Sequence, residues 1–149
     1  MNPPIQTESC GIAQDPRLLH TMIRVSNLER SLAFYLDGLG MRELRREDYP
    51  KGRFTLVFVG YGSEASSALI ELTHNWDHNE YEHGTRFGHI AIGISDLYKF
   101  SERLKSMGIE IIREPGPMSF ASDSGNCDVI AFVKDPDGYQ IELIAIHSI

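Results

Sequence analysis

The chain contains two copies of one sequence pattern, and this duplication limits the folds open to it. Residues 20–41 and 89–109 align without a gap over their first nine positions. The matched pairs are His20 and His89, Ile23 and Ile92, Val25 and Ile94, Ser26 and Ser95, Asn27 and Asp96, and Leu28 and Leu97. We therefore expect two related structural units within one chain.

Each copy opens with a strand pattern followed by a helix pattern. Apolar residues first alternate with period two, with Met22 as the exception, which is typical of a half-buried strand. The dipeptides Ser26-Asn27 and Ser95-Asp96 then offer side chains that cap helix starts. Apolar residues next recur at helical spacing, and Gly38 and Gly108 are predicted to close the two helices.

Three short apolar runs separated by turns follow each helix. They lie at residues 42–47, 53–62 and 67–74 in the first copy, and at residues 109–114, 128–138 and 139–146 in the second. The DPDG tetrad in the second copy is a strong hairpin signal. Each half is therefore predicted to be a βαβββ module, which gives an α+β fold of two tandem modules.

The predicted organisation is one domain over residues 17–149, preceded by a flexible tail. Module 1 is assigned to residues 17–76 and module 2 to residues 86–149, with a linker over residues 77–85. Residues 1–16 are rich in Pro, Gln, Ser and Gly, a composition that favours a loose tail.

Charge and cysteine usage narrow the range of partners and compartments. Fourteen basic side chains against 21 acidic ones give a net charge of −7, which argues against nucleic acid or an anionic membrane as the partner. No signal-peptide pattern and no apolar run of membrane-spanning length is present in the sequence. Cys10 and Cys127 form no CxxC pair, as is typical of a reducing compartment. A cytoplasmic location is expected.

Two histidines and two glutamates occupy equivalent places in the duplicated units. Taken singly, a strand glutamate commonly points to water, and a strand histidine commonly packs in the core or at an edge. Here His20 precedes Glu71 by 71 − 20 = 51 residues, and His89 precedes Glu142 by 142 − 89 = 53. A carboxylate between apolar neighbours is costly to bury without compensation. The conjunction favours a metal site with two imidazoles and two carboxylates.

This donor set indicates a particular class of metal and chemistry. Without thiolates, it suits Ni, Co, Fe, Mn or Zn and disfavours a closed structural zinc site. Four protein ligands in an octahedron leave two positions for neighbouring substrate oxygens, which is the arrangement needed to stabilise an enediolate.

Two further polar residues are predicted to face the same cleft. Residues four apart in a strand share a face, so Arg24 should accompany His20, and Asn75 should accompany Glu71. An arginine fork matches a carboxylate, and an amide both donates and accepts. Because Gly93 and an isoleucine, Ile146, take these positions in the second copy, an asymmetric substrate with an anionic end is expected.

Motifs along the chain resemble those of the glyoxalase I family, in the vicinal oxygen chelate superfamily. The similarity covers residues 18–143 and rests on LLHTMIRV, RSLAFY, GLGM, FVGYG, IELTHNW, FGHIAI and AFVKDPDGYQIEL. The resemblance implies paired βαβββ modules whose mixed, curved sheets form half-open barrels with the helices outside. It also implies a homodimer that completes each site across subunits.

The resemblance further implies an activity and a role for each candidate residue. The family isomerises the hemithioacetal of methylglyoxal and glutathione to S-lactoylglutathione, which detoxifies methylglyoxal. His20, Glu71, His89 and Glu142 would bind the metal, with Glu142 as the first choice of proton-abstracting base and Glu71 as its counterpart. Arg24 and Asn75 would hold the γ-glutamyl end of glutathione. Among family members, compact sequences of this kind tend to use nickel or cobalt, with zinc as the alternative.

Two alternative functions are compatible with the same architecture. One is a different enzyme of the superfamily, such as an epimerase, a thiol transferase or a dioxygenase. A dioxygenase needs only three ligands and open positions on iron, so a fourth ligand tells against it. The other is a drug-sequestering binding protein, which has no use for a metal quartet.

Overall fold

The computed structural model describes residues 16–147. Nearly all of the predicted tail, together with Cys10, lies outside these residues. Within them the chain forms two four-stranded sheets with one helix following the first strand of each. No described helix has the length and apolar character needed to cross a membrane.

The two halves have the same order of elements. The first contains β1 (His20–Arg24), α1 (Leu28–Leu32, continued as a π-helix over Ala33–Gly38), β2 (Arg42–Tyr49), β3 (Phe54–Gly60) and β4 (Leu69–Asn75). The second contains β5 (His89–Ile94), α2 (Leu97–Ser106), β6 (Ile111–Pro117), β7 (Val129–Lys134) and β8 (Gln140–Ala145). The predicted βαβββ order and the α+β fold class are confirmed.

Each sheet is mixed and open. The strand orders are β1-β4-β3-β2 and β5-β8-β7-β6, and the first strand of each half pairs in parallel with the last. The remaining pairs are antiparallel. Because the first and last strands lie side by side, side chains from the two ends of each module meet on one sheet face.

The two helices begin in the same way, as the capping residues predict. The Asn27 side chain accepts a hydrogen bond from the Arg30 amide at 3.0 Å. The Asp96 side chain accepts one from the Lys99 amide at 3.1 Å. Each cap satisfies an amide that the helix itself leaves without a partner, so both helices start at equivalent positions after their strands.

The first helix ends differently from the expectation of a regular helix closed by Gly38. Its last turns are π-helical and end at Gly38, and the left-handed residue is Gly40, with φ of 75°. Gly38 instead serves packing, because a Cβ there would lie 2.9 Å from Ile109 Cδ1 in the other half. In the second half Gly108 does adopt the left-handed conformation, with φ of 77°.

The DPDG turn between β7 and β8, with Tyr139 after it, is fixed to the first half by one buried and two half-buried hydrogen bonds. The Tyr35 hydroxyl donates to Asp135 Oδ2 at 2.7 Å, and the Ser26 amide donates to Asp137 Oδ1 at 3.1 Å. The Tyr139 hydroxyl donates to the Arg24 carbonyl at 2.8 Å. Burial is the main cause that raises the pKa of Tyr35 well above its usual value, so the phenol remains a donor at neutral pH.

Removing the Tyr35 hydroxyl should weaken this contact between the halves. We expect Tyr35→Phe to lower the free energy of unfolding by about 1–3 kcal/mol, because the buried Asp135 carboxyl loses a hydrogen-bond donor. Urea denaturation followed by circular dichroism measures the change. Tyr98→Phe is the matched control, since Tyr98 is 58% exposed. Equal stability of the two variants would contradict the role of the Tyr35 bond.

Candidate active site

A histidine and a glutamate meet on the open face of the first sheet. His20 begins β1, and Glu71 lies on the adjacent strand β4, where it pairs with Met22. His20 Nε2 and Glu71 Oε2 are 2.7 Å apart. The histidine ring also lies edge-on to Phe58, which faces Glu71 from β3. Parallel pairing of β1 with β4 is what brings residues 51 positions apart into contact.

The second sheet carries the same arrangement. His89 Nε2 lies 2.9 Å from Glu142 Oε2, and Glu142 pairs with Ala91 of β5. Phe132 on β7 pairs with Glu142, and its ring lies edge-on to His89 with the centroids 5.3 Å apart. The duplication therefore extends beyond the two polar residues to the aromatic ring that supports each histidine.

The donors of each pair are suited to a divalent cation. The glutamate side chains are only 12% and 14% exposed, whereas the histidine side chains are 37% and 41% exposed. Imidazole nitrogen and carboxylate oxygen are ligands that borderline divalent ions accept. Within residues 16–147, however, no group of three or more potential ligands comes together. One chain therefore presents two separate halves of the predicted quartet.

Arg24 and Asn75 lie at the ends of β1 and β4, with Arg24 opposite Thr73. Arg24 is exposed, while Ile23 beside it is buried, so the alternation along β1 places Arg24 on the same face as His20. Thr73 Oγ1 lies 3.4 Å from Glu71 Oε1, which puts Thr73 on the glutamate face. Asn75 follows two residues later on β4 and shares that face. The first half therefore carries two further polar side chains on the face that holds His20 and Glu71.

The equivalent positions of the second half are apolar and filled. Gly93 takes the place of Arg24, and a Cβ on it would lie 3.0 Å from Ile146 Cγ2. Ile146 thus occupies the space that a longer side chain at residue 93 would need. The two halves share their histidine and glutamate pair but differ in the groups that extend it.

The linker between the halves contributes contacts that the sequence interpretation did not include. The Asn75 amide donates to the Tyr81 hydroxyl at 3.0 Å. The His83 ring stacks on Tyr139 with centroids 4.3 Å apart. His83 therefore packs against the second half.

Comparisons with known proteins identify the same family as the sequence motifs. The family model described as the Glyoxalase/Bleomycin resistance protein/Dioxygenase superfamily matches residues 17–143. The lactoylglutathione lyase of Neisseria meningitidis is 57% identical over 132 residues, which cover 89% of this chain and 92% of that protein. The probable lactoylglutathione lyase of a Synechocystis species is 55% identical over 131 residues, or 88% of this chain and 96% of that protein.

Solved structures show the same fold. Glyoxalase I from Zea mays superposes with a TM-score of 0.81 at 43% identity, covering 89% of this chain. This chain spans only 45% of the maize chain. The trypanothione-dependent glyoxalase I of Leishmania major superposes with a TM-score of 0.74 at 44% identity, covering 88% of this chain and 87% of that one. From its matched residues, its duplicated modules and these relatives, the chain belongs to the glyoxalase/bleomycin resistance protein/dioxygenase superfamily.

Proposed function

We propose that this chain is a lactoylglutathione lyase, a glyoxalase I that converts the hemithioacetal of methylglyoxal and glutathione into S-lactoylglutathione. The observation that carries the proposal is the duplicated contact between a histidine and a glutamate, at 2.7 Å in one half and 2.9 Å in the other. Relatives named lactoylglutathione lyase, at 51–57% identity over most of the chain, support it. Its setting would be methylglyoxal detoxification in the cytoplasm, by one domain over residues 17–149.

The four residues of the two pairs would hold one divalent metal ion, His20 and Glu71 from one half and His89 and Glu142 from the other. We favour nickel or cobalt over zinc. When bound, the metal would act as a Lewis acid that polarises a substrate carbonyl. The nitrogen and oxygen donors, free of sulfur, support such an ion.

A homodimer would complete the site. Each chain presents two half-sites on different sheets, and a symmetric dimer can place a half-site of one subunit against the complementary half-site of its partner. Two such sites would form per dimer. The proposal is supported by the absence of any third ligand near either pair within the described part of the chain.

Glu142 would act as the base that removes a proton from the substrate, and Glu71 would be its counterpart on the opposite side of the substrate. The proton leaves the carbinol carbon of the hemithioacetal, an enediolate forms, and a proton returns at the neighbouring carbon. The electrons stay within the substrate, so no oxidant or reductant is consumed. The carboxylate of Glu142 is largely shielded from water, since its side chain is 14% exposed, and this favours its action as a base.

Arg24 and Asn75 would bind the γ-glutamyl end of glutathione. The arginine offers a bidentate fork for a carboxylate. The Asn75 amide nitrogen already donates to Tyr81, which leaves its carbonyl oxygen directed elsewhere as an acceptor. Both residues lie on the face that carries His20 and Glu71.

Removal and return of the metal tests the proposed function. We expect chelator-treated protein to lose thioester formation from the hemithioacetal, and nickel or cobalt to restore more of it than zinc. Thioester absorbance measures the rate, and elemental analysis measures the metal bound. His20→Ala should lower the bound metal, whereas His147→Ala, which changes an exposed histidine, should not. Failure of every metal to give thioester would favour a binding protein of the same fold.

A further inference from the structure

A small cavity of about 190 Å³ lies beside Arg24, between the end of β1 and the linker. Arg24 and Glu82 provide its charged groups, and His83, Phe87 and Tyr139 provide an aromatic wall. Neither His20 nor Glu71 lines it. The cavity is large enough for one amino-acid terminus rather than for a whole peptide.

The linker residues that line this cavity are held in place on both sides of Glu82. On one side, the Tyr81 hydroxyl accepts a hydrogen bond from Asn75 at 3.0 Å. On the other, the His83 ring stacks on Tyr139, and the Phe87 ring meets Tyr139 edge-on at 5.4 Å. Glu82 is therefore carried by a segment that is already ordered, which reduces the entropy lost when it binds a ligand.

Arg24 and Glu82, the two charged residues of the cavity, do not form an ion pair with each other. Among residues 16–147, neither Arg24 nor Glu82 forms an ion pair, so their charged atoms are more than 4.0 Å apart although they line one cavity. A gap between opposite charges suits a ligand that carries both signs. An α-amino-acid terminus does so, because its carboxylate and ammonium groups are attached to the same carbon.

We propose that Glu82 is a specificity-determining residue that accepts the ammonium group of an α-amino-acid terminus on the thiol substrate, while Arg24 binds the adjacent carboxylate. The inference rests on the proposed function, since glutathione has such a terminus at its γ-glutamyl end. It predicts that the protein discriminates against thiols whose terminal ammonium group is missing or blocked. Arginine alone selects only for the carboxylate, so the second charge adds specificity.

The test compares two probes that differ only at the ammonium group. Calorimetry on the full-length, metal-loaded protein measures the binding of S-methylglutathione and of its derivative acetylated on the γ-glutamyl nitrogen. We expect the unmodified protein to bind the free amine about fivefold more tightly, as a charge-assisted contact near the surface would give. Glu82→Gln should abolish this preference and leave the affinity for the acetylated probe unchanged. Arg24→Ala should weaken the binding of both probes.

Glu80→Gln is the matched control, because Glu80 is an exposed residue of the same linker and does not line the cavity. It should keep the preference for the free amine. Equal affinities of the unmodified protein for the two probes, or an undiminished preference in Glu82→Gln, would overturn the assignment. The proposed function is tested separately, by measuring thioester formation at saturating hemithioacetal. Glu80→Gln should retain the maximal rate of the unmodified protein.

Discussion

Glu142→Gln should lower kcat for hemithioacetal isomerisation by about a thousandfold, which is the contribution typical of a positioned general base. Glutamine has nearly the same shape as glutamate and can still offer an oxygen to a metal, but it cannot accept a proton at neutral pH. Rates of thioester formation measured at saturating metal give the change in kcat. The bound metal and the dimer fraction, measured on the same sample, should remain close to those of the unmodified protein.

Two comparisons make this result specific to Glu142. Glu110→Gln changes an exposed glutamate of the same half and should leave kcat unaltered. Glu71→Gln removes the counterpart carboxylate and should cause a smaller loss than Glu142→Gln. A Glu142→Gln enzyme that turns over at near-normal rate with full metal content would refute the base assignment.

Two inactive variants should regain activity when their subunits are mixed. Glu71→Ala disables the first half of each chain, and Glu142→Ala disables the second. In a dimer that combines one half-site from each subunit, a mixed dimer contains one site with both defects and one site with none. Random exchange makes about half of the dimers mixed, so activity should recover to about a quarter of normal.

The same mixture distinguishes a shared site from a site within one chain. If each chain built its own complete site, every site in the mixture would carry one defect, and activity would stay at the level of the separate variants. Subunits are exchanged by mild denaturation and refolding of the mixture. Each variant refolded alone, and the unmodified protein taken through the same treatment, provide the controls. Recovery that fails despite proven exchange would contradict the shared site.

The repeated parts of the fold could be predicted from the sequence because local signals and duplication agree. Asn27 and Asp96 cap the two helices as their positions indicate, and alternation marks the strands. Consistency between local preference and overall arrangement is what makes such parts predictable.

Other parts depended on packing between distant segments, which no local pattern encodes. The close approach of Gly38 to Ile109 is a contact between the halves, and the π-helical end of the first helix has no signal in the local sequence. The same holds for the stacking of His83 on Tyr139, which a polar linker sequence gave little reason to expect. Tertiary contacts of this kind override local propensity.

For the candidate site, the chemistry of the pairs was easier to predict than their assembly. Spacing and residue type identified His20 with Glu71 and His89 with Glu142, and each pair is in contact. The joining of the pairs in a homodimer is part of the proposal, because a single sequence contains no direct signal for the surface that a partner covers. The mixing experiment addresses that question.

The filled space above Gly93 has a consequence for stereochemistry. Because Gly93 takes the place of Arg24 and Ile146 takes the place of Asn75, the symmetry inherited from duplication is broken beyond the two pairs. If Arg24 and Asn75 bind the charged tail of the substrate, as proposed, that tail is held at the first half alone, and the reacting carbon would show the same side to the same carboxylate. An active site lined by two near-identical halves would in this way deliver hydrogen to one face and yield a product of single handedness.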